Sequence, residues 1–290
     1  MQFQGAMTAI VTPFRHDSVD EARLREQVEF QIASGINGLI PVGTTGESPT
    51  LDFDEHFRVI ELTVQYAKGR VPVIAGVGGN ATAEALKLHQ YARDVGADAG
   101  LSVNPYYNKP TQEGLYRHFM TLADNVDLPI VLYNIPGRTG INMTPATVAR
   151  LHKSGKFPAI KEAAGSCDQV TEIRAACDIA ILSGDDSLTL PFMSVGASGV
   201  ISVLSNVLPA EVATMVRLAL DGKWTEARAI HARNYALTKS LFLDGNPAGV
   251  KAAMQLLGRD SGEMRLPIVE ASDATRKIIE ENLRALGALQ

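Results

Sequence analysis

Eight short runs of apolar, β-branched or small residues recur along this chain, each followed by a turn and then an amphipathic stretch. They begin at Ala6 (AMTAIVTPF), Gly38 (GLIPVG), Pro72 (PVIAGVG), Asp98 (DAGLSVN), Pro129 (PIVLYN), Pro158 (PAIKEA), Ile179 (IAILSG) and Gly199 (GVISV). The runs are apolar throughout instead of alternating with polar residues, the pattern of parallel strands covered on both faces. Between them lie segments such as VDEARLREQVEFQIASG, where apolar positions return every three or four residues. Strand ends fall roughly 20 to 35 residues apart, the length of a strand, a loop and a helix. Eight such units in about 220 residues favour a closed (β/α)8 TIM barrel, an α/β fold, over an open sheet.

Beyond residue 208 the strands stop. LPAEVATMVRLALDGKWTEARAIHARNYALTKSLF, NPAGVKAAMQLLG and ASDATRKIIEENLRALGALQ read as helices only. The expected organisation is a catalytic barrel over 1–223 and a C-terminal helical extension over 224–290, packed on the barrel or on a neighbouring chain. A hydrophobic content of 46% supplies a sizeable core. The net charge of −5 creates no basic field for nucleic acid or an anionic membrane. The N-terminus MQFQGAMTAIVTPF has no basic region ahead of its apolar stretch. The two cysteines, Cys167 and Cys177, form no CxxC. The expectation is a reduced, cytoplasmic protein.

In a barrel of this kind the chemistry sits at the C-terminal strand ends. Those ends read GTTGES, GVGGN, NPYYNKP, YNIPGRTG, KEAAG and SGDD, so Thr44, Thr45, Tyr107, Tyr133, Arg138 and Lys161 should converge on one mouth. Taken singly, each fits the polar filling of a barrel loop, and a lysine ending a strand fits a side chain reaching water. Taken together they supply an amine, phenols for proton transfer, a guanidinium and a turn rich in backbone amides. That set suits a small keto acid. A lysine amine is nucleophilic only when unprotonated, and an apolar mouth with a second cation nearby favours that form. It could then form a Schiff base, whose deprotonation gives an enamine without a metal. The six histidines form no HxH or HExxH pair, and neither metal nor other cofactor is expected.

GTTGE lets glycines turn the backbone while Thr44 and Thr45 offer hydroxyls; with no GK[ST] following, it is a carboxylate cradle and not a P-loop. A competing motif is GVGGNA, Gly76 to Ala81, which matches the dinucleotide-binding turn of a reductase. It lies in the third unit instead of the first, and Asp98 precedes the next strand, badly placed for a ribose.

Together GTTGES, NPYYNKP, YNIPGRTG and KEAA resemble, in order, the 4-hydroxy-tetrahydrodipicolinate (dihydrodipicolinate) synthases of the diaminopimelate/lysine pathway. These are pyruvate-dependent class I aldolases, a lyase family that includes N-acetylneuraminate lyase. The likeness runs from about Thr8 to Pro267. It implies a Schiff base between Lys161 and pyruvate, with the pyruvate carboxylate held by Thr45. It also implies proton transfer by Tyr133 through Thr44 to Tyr107 of a partner subunit. Arg138 would bind the carboxylate of L-aspartate 4-semialdehyde, and backbone carbonyls near Gly184 and Ile201 would contact the intermediate. The implied assembly is a homotetramer, a dimer of dimers. Ser48, His56, Asn80, Glu84 and Tyr106 match positions that bind the feedback inhibitor L-lysine in regulated members, although Phe53 and Pro49 depart from the residues often seen there. Gly249 in NPAGVK stands where proline is usual, at a position expected to lie far from the chemistry. A sister aldolase acting on a sugar acid is the alternative within the family.

Overall fold

Each of the eight apolar runs contains one barrel strand in the computed structural model, which describes residues 3–289. The strands are β1 (Gly5–Ala9), a short pair β2 (Phe14–Arg15) and β3 (Ser18–Val19), then β4 (Leu39–Ile40), β5 (Ile74–Gly76), β6 (Ala99–Val103), β7 (Ile130–Asn134), β8 (Ala159–Glu162), β9 (Ala180–Ser183) and β10 (Gly199–Ser202). The parallel order is β4–β1–β10–β9–β8–β7–β6–β5. A bridge from Leu39 to Val73 joins β4 back to the start of β5 and closes the barrel.

The β2–β3 pair was not legible in the sequence. The first apolar run continues to Phe14, but its strand ends at Ala9, and the chain then reverses through His16 and Asp17, both at positive φ. The helix that follows therefore starts at Glu21, where the Asp20 side chain accepts a hydrogen bond from the Arg23 amide.

The helices are α1 (Glu21–Ala33), α2 (Phe53–Ala67), α3 (Thr82–Asp94), α4 (Gln112–Asn125), the single turn α5 (Pro136–Thr139), α6 (Pro145–His152), α7 (Cys167–Ala176), α8 (Thr189–Ser194) and α9 (Pro209–Leu220). Helix α9 packs on β1 and β10 as the last helix of the barrel ring. Three more follow: α10 (Trp224–Ser240), α11 (Ala248–Leu256) and α12 (Asp273–Ala285). Helix α10 lies on α9, and α12 lies on both α10 and α11, so the extension packs against the barrel.

The core has two layers, as a barrel requires. Alternate strand residues point inward, where Met7, Ala9, Ile40, Ile74, Leu101, Val131, Ala159, Leu182 and Ile201 fill the interior. The others point out and pack beneath the helices, among them Ala6, Leu132, Ile160, Ile181 and Val200. No helix among the described residues is long and apolar enough to cross a membrane.

Candidate active site

Strand alternation decides what Lys161 does. On β8, Ala159 faces the interior and Ile160 the helices, so Lys161 faces inward at the top of the barrel and Glu162 faces out. Although it ends a strand, Lys161 does not reach water: it is only 6% exposed. Its Nζ lies 4.4 Å from the centroid of the Tyr133 ring, and Tyr133 is its register partner on β7. On the other side Gly184 closes against the lysine stem. A Cβ there would stand 3.2 Å from Lys161 Cε and 2.6 Å from the Ala163 Cβ, so only glycine leaves the side chain its path.

Two carboxyl groups stand in the field of this lysine. Asp186 is buried and accepts from Ser202 Oγ at 2.5 Å and from the Val203 and Leu204 amides at 2.9 and 3.1 Å. Burial pushes its carboxyl above the usual range, while those donors and then the Lys161 charge pull it down. Burial likewise raises Asp185, against the charges of Lys161 and Lys239. On the outer face, Glu162 is raised by burial and accepts from Asn134 Nδ2, Gln169 Nε2 and the Ala164 amide. The strand ends KEAAG and SGDD contain all three acids, but the sequence alone assigned them no role, because a strand-end motif carries no sign of how its acids fold around the lysine.

GTTGES turns sharply beside this mouth. The Gly46 amide donates to the Gly43 carbonyl at 3.1 Å and the Glu47 amide to Thr44 at 3.1 Å. A Cβ on Gly46 would sit 2.9 Å from the Val42 nitrogen. Thr45 is buried, and its Oγ1 accepts from Asn246 Nδ2 at 3.0 Å. Arg138, in α5, donates to the Asn246 carbonyl at 3.3 Å. One asparagine thus spans the two groups assigned to carboxylates. Asn246 is buried and its Oδ1 has no protein partner. It opens NPAGVK, in which only the Gly249 position is expected to lie far from the chemistry; the segment reaches the site through Asn246.

A cavity of about 210 Å³ is lined by Gly43, Thr44, Ser48, Tyr106, Tyr133 and Arg138, among others. Ile201 lies in the barrel interior. Tyr107 behaves differently from Tyr106: it is 89% exposed with φ of +72° and does not line this cavity. Of the other positions assigned to an effector, Glu84 lies exposed in the first turn of α3, and its charge, after burial, raises the Tyr106 phenol. The Asn80 carbonyl accepts from Asn108 Nδ2 at 2.9 Å. His56 is buried with Nε2 2.8 Å from the Gly76 carbonyl, and burial lowers its imidazole. A larger cleft, about 800 Å³, opens at the opposite end of the barrel among Gln4, Asn37, Pro72 and Asp98. It is not the site, because it gathers N-terminal strand ends and none of the residues around Lys161.

Two of the three glycines of GVGGNA have a packing explanation. A Cβ on Gly76 would stand 2.2 Å from the Val42 carbonyl oxygen, and one on Gly78 2.4 Å from the Val103 nitrogen. They let β5 approach its neighbours. Among the described residues, no three His, Cys, Asp or Glu side chains group as a metal site would require.

A closed (β/α)8 barrel with a buried lysine at one strand's C-terminal end, beside a phenol and the tight Thr44–Thr45 turn, defines a lyase of the aldolase type. The profile of the dihydrodipicolinate synthetase family matches residues 2–286, and the chain belongs to that family. The 4-hydroxy-tetrahydrodipicolinate synthase of Geotalea daltonii is 52% identical over 276 residues, 94% of this chain and 95% of its own. The lysine-bound dihydrodipicolinate synthase of Cyanidioschyzon merolae superposes with a TM-score of 0.96 at 39% identity, covering 99% of each chain. The chloride-inhibited enzyme of Acinetobacter baumannii, complexed with pyruvate, gives 0.95 at 38% identity, again over 99% of each chain.

Proposed function

We propose that this enzyme condenses pyruvate, bound as a Schiff base on Lys161, with L-aspartate 4-semialdehyde. The observation that carries the reading is the Lys161 amine, buried at a strand end and 4.4 Å from the Tyr133 ring centroid. The pyruvate complex of the Acinetobacter relative supports the first substrate.

Lys161 Nζ attacks the keto carbon of pyruvate, and the carbonyl oxygen leaves as water after two proton transfers. Tyr133 handles these protons, relayed through Thr44 to Tyr107 of a partner subunit. The Thr45 hydroxyl and the amides of its turn hold the pyruvate carboxylate. The iminium acidifies the methyl group, and loss of a proton gives the enamine. Its carbon attacks the aldehyde, whose oxygen takes a proton, while Arg138 binds the second carboxylate. The substrate's amino group then displaces Lys161, closing the ring and returning the free amine. Carbonyls near Gly184 and Ile201 contact the bound intermediate.

The exposed Tyr107 supports assembly through this loop into a dimer and then a homotetramer, with residues 224–290 as a helical region beside a catalytic barrel over 1–223. L-lysine acts as a feedback inhibitor at Ser48, His56, Asn80, Glu84 and Tyr106. The lysine complex of the Cyanidioschyzon relative and the proximity of Glu84 to Tyr106 support that site. The enzyme works in the cytoplasm and needs no cofactor.

Borohydride reduction in the presence of pyruvate, followed by peptide mass spectrometry, tests the central step. A pyruvyl adduct on the Lys161 peptide is the expected result. Folded protein with no adduct, or an adduct on another lysine, overturns the reading. Comparing kcat/KM for the semialdehyde with that for sugar acids tests the second substrate.

A further inference from the structure

Glu47 and Lys251 form an ion pair with no solvent exposure on either side chain, Lys251 Nζ lying 2.5 Å from Glu47 Oε1. Glu47 follows Gly46 in GTTGES and stands two residues from Thr45, at φ 54° and ψ 36°. Lys251 comes from α11 of the C-terminal extension. Three further contacts fix the pair. Lys251 Nζ donates to the Glu263 carbonyl at 2.8 Å and lies 4.4 Å from the Phe14 ring centroid. The other Glu47 oxygen accepts from the Arg265 amide at 3.3 Å. Arg265 in turn donates to the Thr50 carbonyl at 3.0 Å, at the far end of the same turn.

The barrel could have held this loop with an apolar contact, since a buried ion pair adds little net stability over packed hydrophobic residues of similar volume. What the pair adds is a fixed direction. A left-handed residue other than glycine is a strained position, and two charge-assisted contacts from another part of the chain hold it there. We infer that Lys251 and Glu47 are positioning residues: through them the C-terminal extension sets the Thr44–Thr45 turn at the geometry that receives the keto-acid carboxylate. The inference rests on the reading of Thr45 as carboxylate ligand. It assigns a catalytic purpose to helices that contribute no reacting group.

The test pairs two variants of the full-length enzyme. Glu47→Gln with Lys251→Met removes both charges at nearly constant volume, so that neither charge is left buried alone. Lys251→Arg keeps the charge but changes its reach and shape. Borohydride trapping is titrated with pyruvate, alongside steady-state kinetics and thermal unfolding. The expected result is a folded enzyme that still labels fully on Lys161, with half-saturating pyruvate raised about tenfold or more and kcat changed less, because a small displacement of a positioning group is felt strongly at a reacting centre. A folded variant with wild-type half-saturation and kcat/KM would overturn the inference. Loss of folding in both would overturn it too, since the pair would then hold the whole chain and not the turn. Failure of the wild-type enzyme to label at all would instead sink the Schiff-base reading.

Discussion

Tyr133 and Lys161 face each other across adjacent strands, paired in register on β7 and β8, with the lysine nitrogen 4.4 Å from the tyrosine ring centroid. Because both strands alternate in step, one register places both side chains inside the barrel and their successors, Asn134 and Glu162, outside, where they hydrogen-bond to each other. A slip of one residue in β8 would turn Lys161 out and Glu162 into the barrel, and part both from their β7 partners.

Removing only the phenol oxygen should therefore separate packing from proton transfer. Tyr133→Phe keeps the ring beside Lys161, and its melting temperature should move little. Its kcat should fall by about 10²–10⁴-fold, the usual contribution of a positioned acid–base group, with a smaller change in KM for pyruvate. Steady-state kinetics with thermal melts would check both; an unchanged kcat would remove Tyr133 from the proton path.

Gly184→Ala inserts a methyl 3.2 Å from Lys161 Cε and 2.6 Å from the Ala163 Cβ. Overpacking of this kind costs about 1–3 kcal/mol, and the displaced lysine should lose about 10–100-fold in kcat/KM. Denaturant unfolding and pyruvate trapping measure the two effects. Full trapping at wild-type rate would mean that the lysine stem has room the geometry does not grant.

Tyr107 should act across subunits. Lys161→Ala and Tyr107→Phe enzymes, unfolded and refolded together, would form mixed dimers in which one site has both Lys161 and a partner's Tyr107. Activity above the sum of the separately refolded variants is expected. Simple additivity would place Tyr107 in its own chain's site or outside catalysis.

Glu84→Gln should weaken inhibition by L-lysine about tenfold or more, the scale of a lost hydrogen bond to a charged group. Uninhibited kcat/KM should hold, because Glu84 is exposed on α3 and outside the catalytic cavity. Inhibition curves decide it: equal curves for both enzymes would place the effector elsewhere.

Acid should expose a buried histidine. Burial holds His118 at about 4, against an ordinary 6.5, and His89 likewise at about 4. Between those values the unfolded chain binds protons that the fold excludes. Stability from the neutral rings is thus complete above pH 6.5 and falls as pH drops towards 4, by on the order of 1–3 kcal/mol per histidine. His118→Asn keeps a partner for Thr82 Oγ1, which lies 2.9 Å from Nδ1. It should lower the melting temperature at pH 7.5 but flatten its decline to pH 5. An equal decline in both proteins would rule out His118 as a source.

The eight strands were legible because parallel barrel strands are buried on both faces, and continuous apolar runs such as PIVLYN leave few other structures to adopt. The β2–β3 pair was not legible: two residues a side carry no periodicity, and its turn uses His16 and Asp17 where glycine would have signalled positive φ. Lys161 and its apolar mouth could be picked out by motif, although a lysine ending a strand ordinarily reaches water; the glycine that closes on its stem, Gly184, is seen only in the fold.

Local pattern alone determined the barrel, the helical tail and the order of the loops at its mouth, because each depends on residues a few positions apart. Tertiary structure alone decided which distant residues serve those loops. Asn246 meets Thr45 across 201 positions, and Lys251 meets Glu47 inside the protein. Neither contact leaves a trace in periodicity or turn chemistry, for each exists only once the last helices have packed against the barrel.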